Sequence, residues 1–454
     1  MFKVINPATE EIVGEYNLNS QKEAEQILRD VFESFKIWSK KSIPEKSKPM
    51  KKLAQLLRDG VDKYARIMSI EMGKPIVEAR DEIKKCALAC DYFADQAENF
   101  LKEEMIQNDH KTSLVSFEPL GVILGIMPWN FPFWQVFRFL APTLMAGNGI
   151  VIKHALNVPG CALAIEELIV QAGFPLNLVR NIFLENPEVQ AVIAHPLICG
   201  VSLTGSDRAG ESVGAIAGKN LKKCVLELGG SDPYIVLEDA DLTKCVKTAI
   251  AARLVNTGQS CIAAKRFIIV RSKIDEFCAR LLDQLKSVKM GDPLQEDTSL
   301  GPLARKDLFE KFSGQVQGSI KKGAKLMAGG KPLEGKGYFY PPTVLKNVSK
   351  GMPAFDEETF GPLFALIEAR DALHAIEIAN DSLYGLGSSL WTQDKMLAKD
   401  LAGKIQAGMV FINERTVSDP KLPFGGIKRS GFGRELSKQG IKEFVNIKTI
   451  VIGN

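Results

Sequence analysis

The chain has 454 residues, 45% of them hydrophobic and 25% charged, a globular composition too long for one compact core, which excludes disorder and points to two domains. Its formal charge of +4 is the difference between 58 basic and 54 acidic residues dispersed along the chain, which argues against nucleic acid as a partner. No apolar run reaches a membrane span and the first residues lack a signal peptide's apolar core, so a cytoplasmic protein with no membrane partner is expected.

Eight cysteines lie scattered without a CxxC pair, and reduced thiols are expected of such a chain. The four histidines stand at no ligand spacing to one another, so no metal site is expected.

In chain order, Asn6-Pro-Ala-Thr reads as a turn leading into a strand. Helical periodicity then runs from Ser20 to Asn99, interrupted at Pro44 and at Gly73-Lys-Pro75. Lys111 to Phe117 alternates polar and apolar residues, and Ile447 to Ile452 has similar strand character; each reads as a peripheral strand, either an ordinary edge or a place for a partner subunit. From Gly121 short apolar strands alternate with amphipathic helices: strands at Val122 to Ile126, Ile150 to Ile152, Leu178 to Leu184, Val201 to Leu203 and Cys224 to Leu228, with helices at Cys161 to Gln171 and near Glu211 to Ala217. That alternation predicts a mostly parallel sheet covered by helices, and a second α/β series runs from Pro233 to about Asn413.

Four stretches carry candidate chemistry. Thr204-Gly-Ser-Asp-Arg-Ala-Gly210 joins a strand to a helix, whose unpaired N–H groups suit a phosphate, although a plain β-α turn reads the same way. Pro128-Trp-Asn-Phe-Pro132 fixes Asn130 between two prolines, either to donate its amide to a developing oxyanion or to cap the next helix. Glu227-Leu-Gly-Gly230 sets a carboxylate at a strand end, as a general base or a solvated charge. Asn256-Thr-Gly-Gln-Ser-Cys261 follows the apolar run Thr248 to Val255 and delivers one thiol, which needs a base or a lowered pKa to act as a nucleophile.

Taken in order with Glu358-Thr-Phe-Gly-Pro362, Pro423-Phe-Gly-Gly-Ile-Lys428 and Ser430-Gly-Phe-Gly-Arg-Glu435, the motifs around Asn130, Glu227 and Cys261 closely resemble the NAD(P)-dependent aldehyde dehydrogenase superfamily along essentially the whole chain. The resemblance implies an α/β fold: a Rossmann-type dinucleotide-binding domain (1–100 and 120–228), a catalytic α/β domain (229–430), and an oligomerisation arm with the C-terminal segment (101–119 and 431–454). It implies a homodimer or homotetramer. It also implies roles. Cys261 would attack an aldehyde, Asn130 and the Cys261 N–H would hold the oxyanion, and Glu227 would activate water against the resulting thioester, with Glu435 in support. The cofactor would lie along Met127, Pro128, Trp129, Lys153, Leu156, Thr204, Gly205, Ser206, Glu227, Leu228, Gly229, Glu358 and Phe360.

Two positions bear on selectivity. Many NAD-preferring relatives carry a glutamate three residues after the ribose-contacting lysine. Here that lysine is Lys153 and the later position is Leu156, which removes a charge that would repel a 2′-phosphate and favours NADP, with NAD also accommodated. Arg138 stands eight residues after Asn130 in a mostly apolar helix, where a guanidinium requires an anion, from the protein or from a ligand. The position resembles the arginine by which succinate-semialdehyde dehydrogenases hold the substrate's distal carboxylate, with Trp134, Ser418 and Phe424 as further contacts. Val255 stands where several of those enzymes have a second arginine, and Ala263 where some have a second cysteine. Succinate semialdehyde is therefore the expected substrate. Another ω-oxo acid such as glutarate semialdehyde, or a non-catalytic descendant on the same fold, stays open.

Overall fold

The computed structural model describes residues 1–110 and 112–453; of the peripheral strand read from the sequence, Lys111 lies outside them. The helical stretch forms four helices, Gln21–Trp38, Ile43–Asp59, Val61–Met72 and Ile76–Leu101. Ser20 with Glu23, and Ser42 with Glu45, close capping boxes at the first two, each satisfying orphan N–H groups. Pro44 sits in the first turn of the second helix, where its missing N–H costs nothing. Gly73 ends the third at φ 80°, a left-handed cap.

Two sheets follow. The first runs in the order Gly431–Phe432, Lys223–Glu227, Ile198–Thr204, Val122–Met127, Gly149–His154, Val179–Asn181. All neighbours are parallel except the antiparallel edge Gly431–Phe432. Every residue of Gly149–His154 is buried, as a parallel strand covered on both faces requires. The expected strand Leu178 to Leu184 is shorter than read, because beyond Asn181 the chain turns to exchange hydrogen bonds with Asn19: Phe183 N–H donates to its side-chain oxygen at 2.7 Å, and Asn19 N–H donates to the Phe183 carbonyl at 2.8 Å.

The second sheet has seven strands in the order Lys325–Ala328, Thr343–Lys346, Leu363–Ala369, Ala264–Val270, Asp232–Val236, Ser389–Trp391, Phe411–Ile412. Only the edge Lys325–Ala328 is antiparallel. Separate apolar clusters fill the two faces of each sheet. The C-terminal segment divides: Gly431–Phe432 joins the first sheet, whereas Val445–Ile452 pairs antiparallel with Thr112–Pro119, which also pairs with Glu104–Met105. Among the described residues no helix is long and apolar enough to cross a membrane.

Candidate active site

The nucleophile candidate owes its position to an abrupt helix end. Helix Leu242–Leu254 stops, and Asn256, Thr257 and Gly258 all take positive φ, 50°, 58° and 76°. A β-branched residue there is strained, so the surroundings must hold it. They do: Thr257 Oγ1 donates to the Gly301 carbonyl at 3.2 Å and accepts from Gly301 N–H at 3.1 Å, and Asn256 N–H donates to Glu78 Oε2 at 2.6 Å. Gly258 is obligatory, since a Cβ there would lie 2.4 Å from the Gly361 carbonyl oxygen.

Beyond the turn, Lys265 Nζ donates to the carbonyls of Ser260, Cys261 and Ala263 at 2.9, 2.7 and 3.2 Å, tying the nucleophile's loop together. Burial pushes the Cys261 thiol up to about 12, with the charges of Arg138 and Lys265 working against that rise. At neutral pH the resting group is therefore a thiol that must give up its proton as it attacks.

Asn130 stands on the turn after strand Val122–Met127. Its Nδ2 donates to the Gln259 carbonyl at 3.0 Å, and the Asn256 amide donates back to the Asn130 carbonyl at 2.7 Å, so this turn and the nucleophile's loop are locked face to face. The capping alternative for Asn130 does not occur. Helix Trp134–Met145 begins without a side-chain cap from its own turn; Glu82 accepts from Phe133 N–H at 2.9 Å and Trp134 N–H at 2.8 Å and is itself ion-paired with fully buried Lys74. An amide carries two donor protons, so Asn130 keeps one beyond its bond to Gln259.

Cys261 lines two cavities. One, of about 180 Å³, is bounded by Pro128, Trp129, Asn130, Thr204, Gly205, Ser206, Leu228, Gly229, Glu358 and Phe360. The other, of about 520 Å³, is bounded by Trp134, Arg138, Ser418 and Phe424 together with Lys85 and Arg415. Among the described residues only Gln135 and Cys261 face both. The smaller cavity lies at the carboxyl ends of Val122–Met127 and Ile198–Thr204, the usual ligand crevice of a doubly wound sheet. Helix Asp207–Lys219 opens there with Ser206 as its N-cap, presenting N–H groups suited to phosphate. Glu358 accepts from Gly230 N–H at 2.9 Å. The glycines of ELGG are needed for approach: a Cβ on Gly229 would sit 2.6 Å from Glu358 Oε2, and one on Gly230 would sit 2.8 Å from the Cys261 carbonyl oxygen.

Four expected cofactor positions lie outside that cavity. Met127 is buried at the strand end. Lys153, next to last in strand Gly149–His154, donates to Asn186 Oδ1 at 3.1 Å, its ammonium pKa lowered by burial; Leu156 is half-buried just beyond the strand. Glu227 is 2% exposed and neither oxygen has a hydrogen-bond partner among the described residues. Its side chain folds against Gly425, where a Cβ would lie 2.7 Å from Oε1. Burial drives its pKa well above the ordinary carboxylate range, opposed by Arg138 and reinforced by Glu435.

Arg138 finds its anion within the protein. It is 1% exposed, in ion-pair contact with buried Glu435, donates to Thr204 Oγ1 at 3.2 Å and lies 4.2 Å from the centre of the Phe424 ring. Ser202 Oγ donates to the other Glu435 oxygen at 3.2 Å. Ser418 accepts from Lys85 Nζ at 2.6 Å. Sequence reasoning missed Gln135, Lys85, Arg415 and Lys265. Of these only Gln135 left a signal, a polar side chain three residues before Arg138 in an apolar helix.

The aldehyde dehydrogenase family model matches residues 1–450. A protein of Synechocystis named "Probable succinate-semialdehyde dehydrogenase", of the NADP(+) type, is 46% identical over 448 residues, covering 99% of each chain. A succinate semialdehyde dehydrogenase of Escherichia coli, of the NAD(P)+ type, is 44% identical over 446 residues, 98% of this chain and 96% of the relative. The crystal structure of succinic semialdehyde dehydrogenase from Streptococcus pyogenes in complex with NADP+ superposes with a TM-score of 0.98 at 39% identity, covering 100% of both chains. With motifs, sheets and full-length similarity in agreement, the chain belongs to the aldehyde dehydrogenase family.

Proposed function

We propose that this chain oxidises succinate semialdehyde to succinate with NADP, through a thioester on Cys261. The observation that carries this reading is the thiol's position at the junction of two cavities, one with a dinucleotide crevice's architecture and the other lined by Lys85, Arg138 and Arg415 beside three carboxylates. The names of its relatives support the substrate and the cofactor.

The residues present fit a dinucleotide. Thr204, Gly205, Ser206 and the helix N-terminus after them would take the pyrophosphate, Glu358 the ribose near the nicotinamide, and Phe360 with Trp129 would wall the ring. Lys153, which among the described residues has no carboxylate in an ion pair with it, supports a 2′-phosphate at the adenosine end, and Leu156 adds no opposing charge. Bound there, NADP would supply a hydride acceptor.

The chain's own groups do the rest. As Cys261 sulfur bonds to the aldehyde carbon its proton passes to solvent water, and the neighbouring Arg138 and Lys265 charges favour the thiolate. The carbonyl oxygen becomes an oxyanion within reach of Asn130's remaining amide proton and the Cys261 N–H. As Glu227 turns from Gly425 toward the thioester it leaves its buried position and gives up its proton to solvent. It then takes a proton from water as water adds to the carbonyl, the C–S bond breaks, and the departing sulfur takes that proton to restore the thiol. Glu435 neutralises Arg138 and holds it in place. The dinucleotide-binding domain comprises 1–100 and 120–228 and the catalytic domain 229–430. The exposed apolar residues Met105, Ile447 and Ile452 on the three-stranded arm support its use in a homodimer or homotetramer. The free cysteines of the chain support a cytoplasmic enzyme.

The test is turnover of succinate semialdehyde, glutarate semialdehyde and uncharged aldehydes with NADP, in wild type and Cys261→Ala. Wild type should oxidise the four-carbon ω-oxo acid best, and the variant none. Turnover retained by Cys261→Ala, or a preference for uncharged aldehydes, would overturn the reading.

A further inference from the structure

The larger cavity presents three cations and three carboxylates, and most are already satisfied. Arg138 is held by Glu435. Glu82 is occupied by Lys74 and two backbone N–H groups, Glu78 by Asn256 N–H, and Asp81 by Lys84 at 3.1 Å. Lys85 differs. It projects from helix Ile76–Leu101, donates one proton to Ser418 Oγ at 2.6 Å and lies 4.3 Å from the centre of the Trp134 ring. Among the described residues no carboxylate forms an ion pair with it. Burial, and after it the Arg138 charge, push its ammonium down to about 8. An ammonium placed between an aromatic face and a hydroxyl, with two protons to spare and no counter-ion, is an anion-recognition group.

We propose that Lys85, held by Ser418 and Trp134, is the residue that binds the distal carboxylate of the substrate, with Arg138 serving as the structural partner of Glu435. This deepens the reading above and rests on it. The carboxylate of a short ω-oxo acid meets Lys85 while its aldehyde end meets Cys261 across the same cavity. Lys85 thereby supplies the positive charge toward the substrate that Arg138, neutralised by Glu435, and Val255 do not. Arg415, on the same wall, donates to the Ala251 carbonyl at 3.2 Å and is the alternative cation.

The experiment uses the full-length enzyme with NADP, measuring kcat and KM for succinate semialdehyde and for butanal, an uncharged aldehyde of the same chain length. Lys85→Met should raise KM for succinate semialdehyde about 10- to 100-fold, the loss of one charge-assisted hydrogen bond. It should leave kcat near wild type and butanal turnover unchanged or improved. Lys85→Arg should restore most of the carboxylate preference, which a packing role for the lysine would not explain. Should Lys85→Met fold poorly, Lys85→Gln carries the same expectation, with butanal turnover reporting on its integrity. The proposal is overturned if both substrates suffer equally, if neither changes, or if Arg415→Met rather than Lys85→Met removes the preference. If wild type oxidises neither aldehyde, the underlying dehydrogenase reading fails and takes this proposal with it.

Discussion

Replacing Arg138 by Met tests how far the site depends on its buried ion pair. Arg138 and Glu435 have side chains 1% and 5% exposed, so removing the guanidinium strands a carboxylate in the interior. Glu435 can escape by taking up a proton. At pH 7, against an ordinary glutamate pKa of about 4.3, that costs about 3–4 kcal/mol. Loss of the bond to Thr204 and of the contact with the Phe424 ring adds roughly 1 kcal/mol or more. The sum, about 4–5 kcal/mol, agrees with the roughly 3–5 kcal/mol expected for breaking a buried pair from one side.

The assay is a urea titration followed by tryptophan fluorescence at pH 7.5 and pH 5, on wild type, Arg138→Met and Arg138→Met combined with Glu435→Gln. The single variant should be strongly destabilised at pH 7.5 and less so at pH 5. Its Glu435 has a folded pKa far above the unfolded value, so protonation costs less as pH falls toward 4.3. The double variant, with no ionisable group left and the Ser202 bond still available, should recover most of the loss. A single variant costing under about 1 kcal/mol, the range of an exposed pair, or a double variant no more stable than the single one, would refute the reasoning.

Two further outcomes are expected. Leu156→Glu should place a carboxylate near the adenosine ribose, raising KM for NADP about tenfold or more while improving NAD, as initial rates with each cofactor would read; an unchanged ratio removes Leu156 from cofactor selection. Buried His154, its pKa lowered to about 4 chiefly by desolvation, contacts the Pro132 carbonyl at 2.9 Å through Nε2. Below pH 6.5 the unfolded chain takes up a proton that the folded chain refuses until pH 4, so about 3 kcal/mol of stability should be lost across that window. In urea titrations the advantage of wild type over His154→Gln should therefore shrink as pH falls from 7 to 4, and a constant gap would count against a buried neutral imidazole.

Local signals were legible in the sequence wherever a residue's environment was set by its chain neighbours. Prolines around Asn130, glycines after Glu227 and the turn before Cys261 each announce a special backbone, and their order along the chain carried the family resemblance. The alternating strands and helices likewise announced both sheets. Illegible were relations made only by folding. Lys85 is one of two adjacent lysines on a long helix until Ser418, 333 residues away, is brought to it. Arg138 demanded an anion, but nothing local said that Glu435 rather than a ligand would provide it. Helix Trp134–Met145 takes its cap from Glu82 on a different helix, so the capping rule pointed at the wrong side chain. Glu227's orientation toward Gly425 depends on packing with the PFGG segment, which no spacing rule encodes.

The proposed reaction passes through a covalent acyl group on Cys261 that Glu227 is needed to release. Its most direct test is a single turnover of Glu227→Gln with succinate semialdehyde and NADP, quenched in acid and read by intact mass and peptide mapping. The expected result is about one equivalent of NADPH per active chain, formed in a burst, with a succinyl thioester accumulating on Cys261. NADPH formation at the full rate with no acyl group on that cysteine would contradict the account.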